Sequence, residues 1–285
     1  MAHPATAMLA QISQAYKNNQ IMLPDLPEVA IRIRQAIRNE NVNLHEVSKL
    51  IQMDPAITSR LVQIANSPLY RGNSPIEDCR SVISRLGLKT TQSIVSCLVM
   101  QNVFACADQQ IRQQVRKIWL HSCRVAAFSY VLARVTPGVN EDKAMLAGLI
   151  HDIGVLPILY YAAQHPQLLN QPKLLQAIID KMRGLLGKAI LKKWKFEEAL
   201  TSIPEDAENW LRQHEGSFDY SDIVILAQRH SFFGEAASAK DLPALAEIPA
   251  FQRHALFQLG PDASLEIIDE AAEEIAAIMR LLYAA

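Results

Sequence analysis

The chain has 285 residues, of which 50 % are hydrophobic and 20 % charged, and its formal net charge is −1 at pH 7. This length and hydrophobic share allow a sizeable core, in one large domain or two small ones. The near-neutral charge argues against broad binding to nucleic acids or membrane surfaces, both of which require a positive field. Four scattered cysteines without CxxC spacing indicate free thiols in a reducing cytoplasm, and no signal-peptide pattern follows Met1.

Hydrophobic residues in the first half recur with a period of 3.6, and no convincing alternating strand interrupts them. The pattern predicts a helix after Pro27 and a second that begins at the capping-box spacing of residues 43–46. Asp54 is expected to cap a third helix, with proline at its first position. A short helix that Gly87 ends and a longer one over 88–104 complete this half.

The second half continues the helical pattern to the end of the chain. A long helix over about 109–135 is followed by one over 141–152 that is apolar on nearly all sides, as expected of a central helix. Residues 241–249 carry prolines and are predicted to be irregular, and the tail from about Asp262 forms a final amphipathic helix. Further helices are predicted over 174–194, 205–214 and 222–232.

One twenty-residue stretch, 144–163, is apolar enough to raise the question of a membrane span. Its ionisable side chains, tyrosines aside, are those of His151 and Asp152 near the middle, where charge is costly in lipid, and Pro157 follows. A buried helix that ends at a turn is the better interpretation. The adjacent His-Asp pair then needs a hydrogen-bond partner, a counter-charge or a metal, because apolar residues surround it. His121, thirty positions upstream, is predicted to point inward from the long helix.

Several motifs, in order, resemble the HDOD family, the HD-related output domains of bacterial signalling proteins. In the first half these are residues 23–30 (LPDLPEVA), 51–58 (IQMDPAIT), 61–67 (LVQIANS) and 86–88 (LGL). In the second half, residues 119–122 (WLHS) and 148–154 (GLIHDIG) resemble both this family and the parent HD phosphohydrolases. The resemblance covers about residues 20–235 and implies an all-α fold: an N-terminal bundle of short helices followed by an HD-like helical bundle with a C-terminal amphipathic helix.

The resemblance also suggests how the chain is divided. Residues 1–20 are predicted to be an N-terminal helix or extension, and 21–107 the N-terminal helical lobe. Residues 108–235 form the degenerate HD-like lobe, and 236–285 a loop and closing helix.

An HD phosphohydrolase holds a divalent metal with a histidine, the His-Asp pair and a distant aspartate. His121, His151 and Asp152 match the first three ligands, but Gln228 occupies the expected aspartate position. A unit-charge interaction at about 4 Å in an effective dielectric near 20 is worth roughly 4 kcal/mol, so a neutral amide weakens binding of a dication. Histidines of binuclear relatives are also missing, with Arg183 near one of those positions and Pro204-Glu205-Asp206 near another.

Two interpretations of these residues remain open. His121, His151, Asp152 and Gln228 are either a relict metal site or a buried polar cluster in which Asp152 accepts a hydrogen bond from a histidine. Without the fourth ligand the polar cluster is favoured. Arg183 would repel a metal, and could instead attract a phosphate or pair with Asp152.

Three arginines and three histidines receive ordinary interpretations. Arg32, Arg34 and Arg38 are taken as a solvated helix face rather than an anion-binding strip. His214, His230 and His254 are taken as ordinary surface or boundary histidines without metal spacing.

The resemblance implies a non-catalytic bacterial signal-transduction output or scaffold module that binds an unidentified signalling protein or a nucleotide. No nucleic acid, membrane or tightly held cofactor is expected. The alternative is a metal-dependent HD phosphohydrolase acting on a nucleotide or phosphoester, with Mn, Fe, Ni or Zn at low occupancy. A third interpretation is a small-molecule sensor in which Arg183 holds an anion.

Overall fold

A computed structural model describes residues 4–18, 20–37, 44–232, 242–254 and 260–283. All regular secondary structure within these ranges is helical, so the all-α class predicted from the 3.6-residue period is confirmed. Position 43, the cap residue of the predicted capping box, and Arg38 lie outside the described residues.

The described residues of the first part of the chain form six helices: the first lies in the predicted N-terminal helix or extension, and the other five lie close to where the pattern predicted them. The Asp54 side chain accepts hydrogen bonds from the backbone N–H groups of Ala56 and Ile57, so the predicted cap is confirmed. Gly87 follows the predicted short helix with a positive φ of 81°. The helices are α1 (Pro4–Lys17), α2 (Glu28–Ile37), α3 (Leu44–Gln52), α4 (Pro55–Ala65), α5 (Cys79–Leu86) and α6 (Leu88–Val103).

The remaining helices build the HD-like part and the tail. A 3-10 turn at Leu245–Glu247 lies in the predicted irregular segment. The helices are α7 (Arg112–Arg134), α8 (Glu141–Ile150), α9 (Val155–Ala163), α10 (Pro166–Leu169), α11 (Pro172–Lys193), α12 (Glu198–Thr201), α13 (Ile203–Asp206), α14 (Tyr220–Ser231), α15 (Pro249–Arg253), α16 (Pro261–Glu270) and α17 (Ala272–Tyr283).

Two predicted helices differ from the structure. The helix expected over 205–214 does not form, because the chain leaves α13 in turns and Arg212 bonds with the carboxylates of Asp206, Asp219 and Asp222. These ion pairs outweigh the helical propensity of the segment, since tertiary contacts routinely override propensity. The single C-terminal helix is divided into α16 and α17, which meet at Ala271.

The centre of the molecule is the contact between α7 and α8, which pack side by side over most of their length. Gly148 makes the close approach possible, since a Cβ there would lie 2.7 Å from both the Ala126 Cα and the Ser129 Oγ. The 141–163 segment is apolar and long enough to cross a membrane, yet 94 % of its most apolar window is buried inside the protein. That burial agrees with the prediction of a core helix rather than a span.

The N-terminal helices join the HD-like part through polar contacts at two places. At the first, the buried Asp142 carboxylate of α8 accepts hydrogen bonds from Tyr70 and, at 2.8 Å, from the Thr90 hydroxyl. At the second, the carboxyl end of α11 meets the segment before α2. There the Trp194 indole N–H donates to the Pro24 carbonyl at 3.0 Å, and Lys193 Nζ lies 2.8 Å from an Asp25 carboxylate oxygen.

Arg34 lies at this second junction, and its predicted solvated position is wrong. Its residue surface is only 7 % exposed, and its guanidinium donates to the carbonyl oxygens of Trp194 at 3.5 Å and Lys195 at 3.1 Å. Its guanidinium carbon lies 3.4 Å from the centre of the Phe196 ring. The polar face of α2 therefore docks onto another part of the molecule. Arg32, by contrast, pairs with Glu28 on the surface, as the helix pattern predicts.

Candidate functional site

The His-Asp pair occupies the turn between α8 and α9. α8 ends at Ile150, and residues 151–154 form the turn that leads into α9. His151 is 1 % and Asp152 8 % exposed, although both are polar. His121 projects toward them from α7, and one ligand atom from each of the three residues lies within 4.8 Å of the others. The structure therefore brings the three predicted ligands together.

Hydrogen bonding fixes the orientation of the His151 ring. Its Nδ1 lies 2.7 Å from the Gly148 carbonyl oxygen one turn back, so Nδ1 carries a proton. Its buried Nε2 has no hydrogen-bond partner among the described residues, and the nearest Asp152 carboxylate oxygen is 3.4 Å away. Burial lowers the pKa of His151, but the neighbouring Asp152 carboxylate outweighs this effect and raises the pKa overall.

Arg183 supplies the counter-charge for Asp152. The turn can approach α11 closely because residue 154 is a glycine; a Cβ there would lie only 1.8 Å from the Arg183 carbonyl oxygen. The Arg183 guanidinium lies 3.2 Å from an Asp152 carboxylate oxygen, so the pairing considered from the sequence is observed. Burial opposes ionisation of Asp152, but the charges of His151, Arg183 and His121 lower its pKa well below the ordinary value.

Glu208 completes the cluster and was missed in the sequence. The second terminal nitrogen of Arg183 lies 2.6 Å from a Glu208 carboxylate oxygen, and the Gln228 amide nitrogen donates to the other Glu208 oxygen. The guanidinium therefore bridges two carboxylates, one from the turn and one from the segment after α13. Beyond the acidic run 204–206, nothing in the local pattern pointed to Glu208, because its role depends on how that segment folds back.

These residues do not fit a firmly bound divalent metal. His151 Nε2 is oriented as a ligand would be, and the buried carbonyl oxygen of Gln228 also has no hydrogen-bond partner among the described residues. However, the aspartate ligand already pairs with a fixed positive charge, and Gln228 contributes a neutral oxygen. A dication bound to Asp152 would be repelled by the guanidinium 3.2 Å from that carboxylate.

Aromatic rings cover the other side of the cluster. The His121 ring meets the His151 ring edge-on, with 5.2 Å between centroids. Phe232 stacks on His121 at 5.5 Å, and Trp210 lies edge-on to Phe232. These apolar neighbours keep water from the histidines, which strengthens the charge interactions of the cluster.

A second group of potential ligands surrounds the start of α14. Ligand atoms of His214, Asp219 and Asp222 lie within 4.8 Å of one another, a grouping that the sequence spacing had not suggested. Asp222 is fully buried, and Arg212 bonds it at 3.0 Å and Asp219 at 2.8 Å. Asp219 and Asp222 also form the capping box of α14. This group is accounted for as a helix cap held by ion pairs.

Comparison with known proteins identifies the family. The HDOD domain matches residues 23–209, which is more than half of the chain and includes His121, His151, Asp152, Arg183 and Glu208. The chain belongs to the HDOD family. Gln228 lies beyond the matched residues.

A sequence relative covers about two thirds of the chain. An uncharacterised protein of Treponema pallidum (strain Nichols) is 25 % identical over 209 residues, which cover 67 % of this chain and 37 % of that protein. The chain thus spans well under two thirds of the length of this relative.

Solved structures share the fold over nearly the whole chain. A protein from Shewanella amazonensis SB2B, provisionally named a metal-dependent phosphohydrolase, has a TM-score of 0.76 and 27 % identity, covering 98 % of this chain and 99 % of that one. An HDOD domain protein of unknown function from Geobacter sulfurreducens has a TM-score of 0.71 and 20 % identity, covering 98 % and 100 %. A neighbour with a phosphohydrolase name and an HDOD domain protein therefore share this architecture.

Proposed function

We propose that this HDOD protein is a non-catalytic signalling output module that acts in the cytoplasm by binding a partner protein. The observation that carries the proposal is the Arg183 bridge between Asp152 and Glu208. A positive side chain that neutralises these carboxylates does structurally what a metal would do in a phosphohydrolase, without activating a water molecule. The cluster then stabilises a binding scaffold.

A metal-dependent phosphohydrolase is the alternative, and two atoms favour it. His151 Nε2 and the Gln228 carbonyl oxygen are buried and lack hydrogen-bond partners among the described residues, so each is available to a cation. In this alternative, His121, His151, Asp152 and Gln228 would hold the metal and Arg183 would move to contact an anionic substrate. This expectation for Arg183 stays a prediction.

The first experiment measures Mn, Fe, Ni and Zn per chain in protein purified without a histidine tag, together with turnover of a generic phosphodiester. We expect much less than one metal ion per chain and no turnover that depends on added metal. Near-stoichiometric metal together with turnover that His151→Ala abolishes would overturn the proposal.

A gain-of-function variant tests the physical reason. Arg183→Ala combined with Gln228→Asp removes the positive charge and supplies a carboxylate as the fourth ligand. We expect this double variant to bind Zn or Mn at least ten-fold more tightly than wild type. Lys188→Ala is the matched control, since Lys188 lies on the same helix and pairs with Glu205 away from the turn. If the double variant and wild type bind metal equally, Arg183 is not what excludes it.

Complementation in the native host separates scaffold from enzyme. His121→Ala and His151→Ala should each restore the wild-type phenotype to a deletion strain if binding is the function. Each variant is first checked for native helicity and melting behaviour. A folded variant that fails to complement would favour the enzyme.

A further inference from the structure

A cavity with its own chemistry lies between the N-terminal helices and the HD-like part. Its volume is about 400 Å³, within the range of small-molecule sites. It is lined by residues of α2, α6, α8, α14 and the segment leading through α12, and none of the cluster residues described above contributes to it.

The cationic side of this cavity carries more positive than negative charge. Arg34, Lys89 and Lys143 line it, and Glu197 is the acid among the lining residues. Lys89 is exposed and forms no hydrogen bond or ion pair within the described part of the chain. Lys143 lies 2.7 Å from Glu197, whose side chain is 53 % exposed. An exposed ion pair of this kind contributes about 0 to 1 kcal/mol, so an incoming anion can displace Glu197 readily.

Hydroxyl and amide groups lie beside these cations on α6. Ser93 and Gln92 line the cavity within the first two turns of that helix, and their side chains form no hydrogen bond with described residues. Gly87 provides no side-chain cap for the helix, whose first turn lacks acidic residues. Neutral donors and a helix N-terminus next to lysines are the groups that bind phosphate oxygens.

The opposite side of the cavity is apolar and rigid. Leu146 and Leu200 are buried there, and Phe196 is held by the Arg34 guanidinium over its ring. Lys195, directly before Phe196, has a φ of 55°, an uncommon conformation for a residue other than glycine. The same residue presents its carbonyl oxygen to Arg34. This conformation ends α11, because the Phe196 N–H donates to the Leu191 carbonyl oxygen at 2.9 Å, and a left-handed residue is common at such a helix end.

We propose that this cavity binds a small phosphomonoester that carries a flat aromatic ring, as in a nucleoside monophosphate. Lys89 and Lys143 contact the phosphate, and Gln92 and Ser93 donate to its oxygens. The organic part lies against Phe196, Leu146 and Leu200. The proposal goes beyond the function argued above and does not depend on whether the His-Asp turn binds a metal.

Ligand binding here would act on the junction between the two parts of the chain. Lys89 belongs to α6, whereas Lys143 belongs to α8, so a phosphate held by both adds a contact across the junction. Occupancy should therefore stabilise the whole chain and raise its melting temperature.

The test is calorimetric titration and thermal unfolding of the full chain with AMP, ribose 5-phosphate, adenosine and inorganic phosphate. We expect AMP to bind and to raise the melting temperature, with weaker binding by the other three. Lys89→Gln should weaken AMP binding about ten-fold, because one charge-assisted contact is lost. Lys173→Gln is the matched control, since Lys173 is also exposed and unpaired among the described residues, at the start of α11.

Each outcome decides a part of the proposal. Failure of all the phosphorylated probes at millimolar concentration overturns it, as does equal AMP binding by wild type and Lys89→Gln. Ribose 5-phosphate binding as tightly as AMP supports the anion site and overturns the apolar subsite. Metal content is measured on the same Lys89→Gln sample, so that failure here is separated from failure of the proposed function.

Discussion

Two arginines in this molecule, Arg183 and Arg34, are both largely buried but meet different partners. Arg183 bridges the carboxylates of Asp152 and Glu208, so its charge is compensated within the cluster. Arg34 donates to two backbone carbonyl oxygens and lies over the Phe196 ring. Arg34 lines a cavity together with Lys89, Lys143 and Glu197. In the first region the positive and negative charges compensate each other. In the second region the lining residues carry a net positive charge next to a cavity that a ligand can enter.

The largest expected effect comes from breaking the backbone contact that closes the first region. In Gly154→Ala the new methyl group would overlap the Arg183 carbonyl oxygen, 1.8 Å from the ideal Cβ position, so the turn and α11 must separate. We expect the free energy of unfolding to fall by about 3 kcal/mol, measured by urea denaturation.

Gly72→Ala is the control, because the nearest atoms to a Cβ there belong to the Arg85 guanidinium at 3.4 Å, an ordinary van der Waals distance. An equal loss in both variants would mean that the turn does not depend on this close contact.

Removal of the compensating charge should have the next largest effect. Arg183→Ala leaves Asp152 without its cation, and we expect a loss of about 2 kcal/mol in unfolding free energy. Lys188→Ala, which breaks an exposed pair with Glu205, should cost less than about 1 kcal/mol. If the two variants are equally stable, the Arg183 bridge contributes no more than a surface ion pair.

A change in the second region should cost less. Arg34→Met keeps the apolar stem but loses the carbonyl hydrogen bonds and the cation–π contact, for an expected loss of about 1 to 2 kcal/mol. Arg32→Met, on the exposed side of the same helix, should cost at most about 0.5 kcal/mol. Equal costs would contradict the docked position of α2.

The smallest effect concerns a titration that belongs to neither region. The Thr136 hydroxyl donates to Leu132, so it accepts from His254 Nε2 at 2.7 Å, and burial lowers the pKa of His254. Below pH about 6.5 the unfolded chain takes up a proton that the folded chain resists, so stability falls on acidification. His254→Gln should reduce the slope of unfolding free energy between pH 7 and 5. If this slope is the same in His254→Gln and wild type, the loss of stability on acidification comes from other groups.

The sequence allowed the helices to be predicted well, because burial on one face of a helix leaves a periodic trace. The sequence also predicted that His121, His151 and Asp152 lie close together. That prediction came from the resemblance of their motifs to a family, not from the spacing of the residues. Arg34 was misjudged because periodicity separates polar from apolar faces but does not say which polar face docks. Glu208 was missed because its partners come from α11 and α14, which only the folded chain brings near. The absent helix over 205–214 has a different origin, since Arg212 bonds with the nearby carboxylates of Asp206, Asp219 and Asp222, and helical periodicity does not register such ion pairs.

The carboxyl end of α11 has a consequence for how a signal could travel. Trp194 holds the Pro24 carbonyl on one side of this end, and Arg34 holds the carbonyls of Trp194 and Lys195 on the other. Arg183, about three turns earlier on the same helix, is bonded to the His-Asp turn. A force applied to the N-terminal helices would therefore reach that turn along α11, whose Leu186, Ile190 and Leu191 are buried in the core between the two contacts.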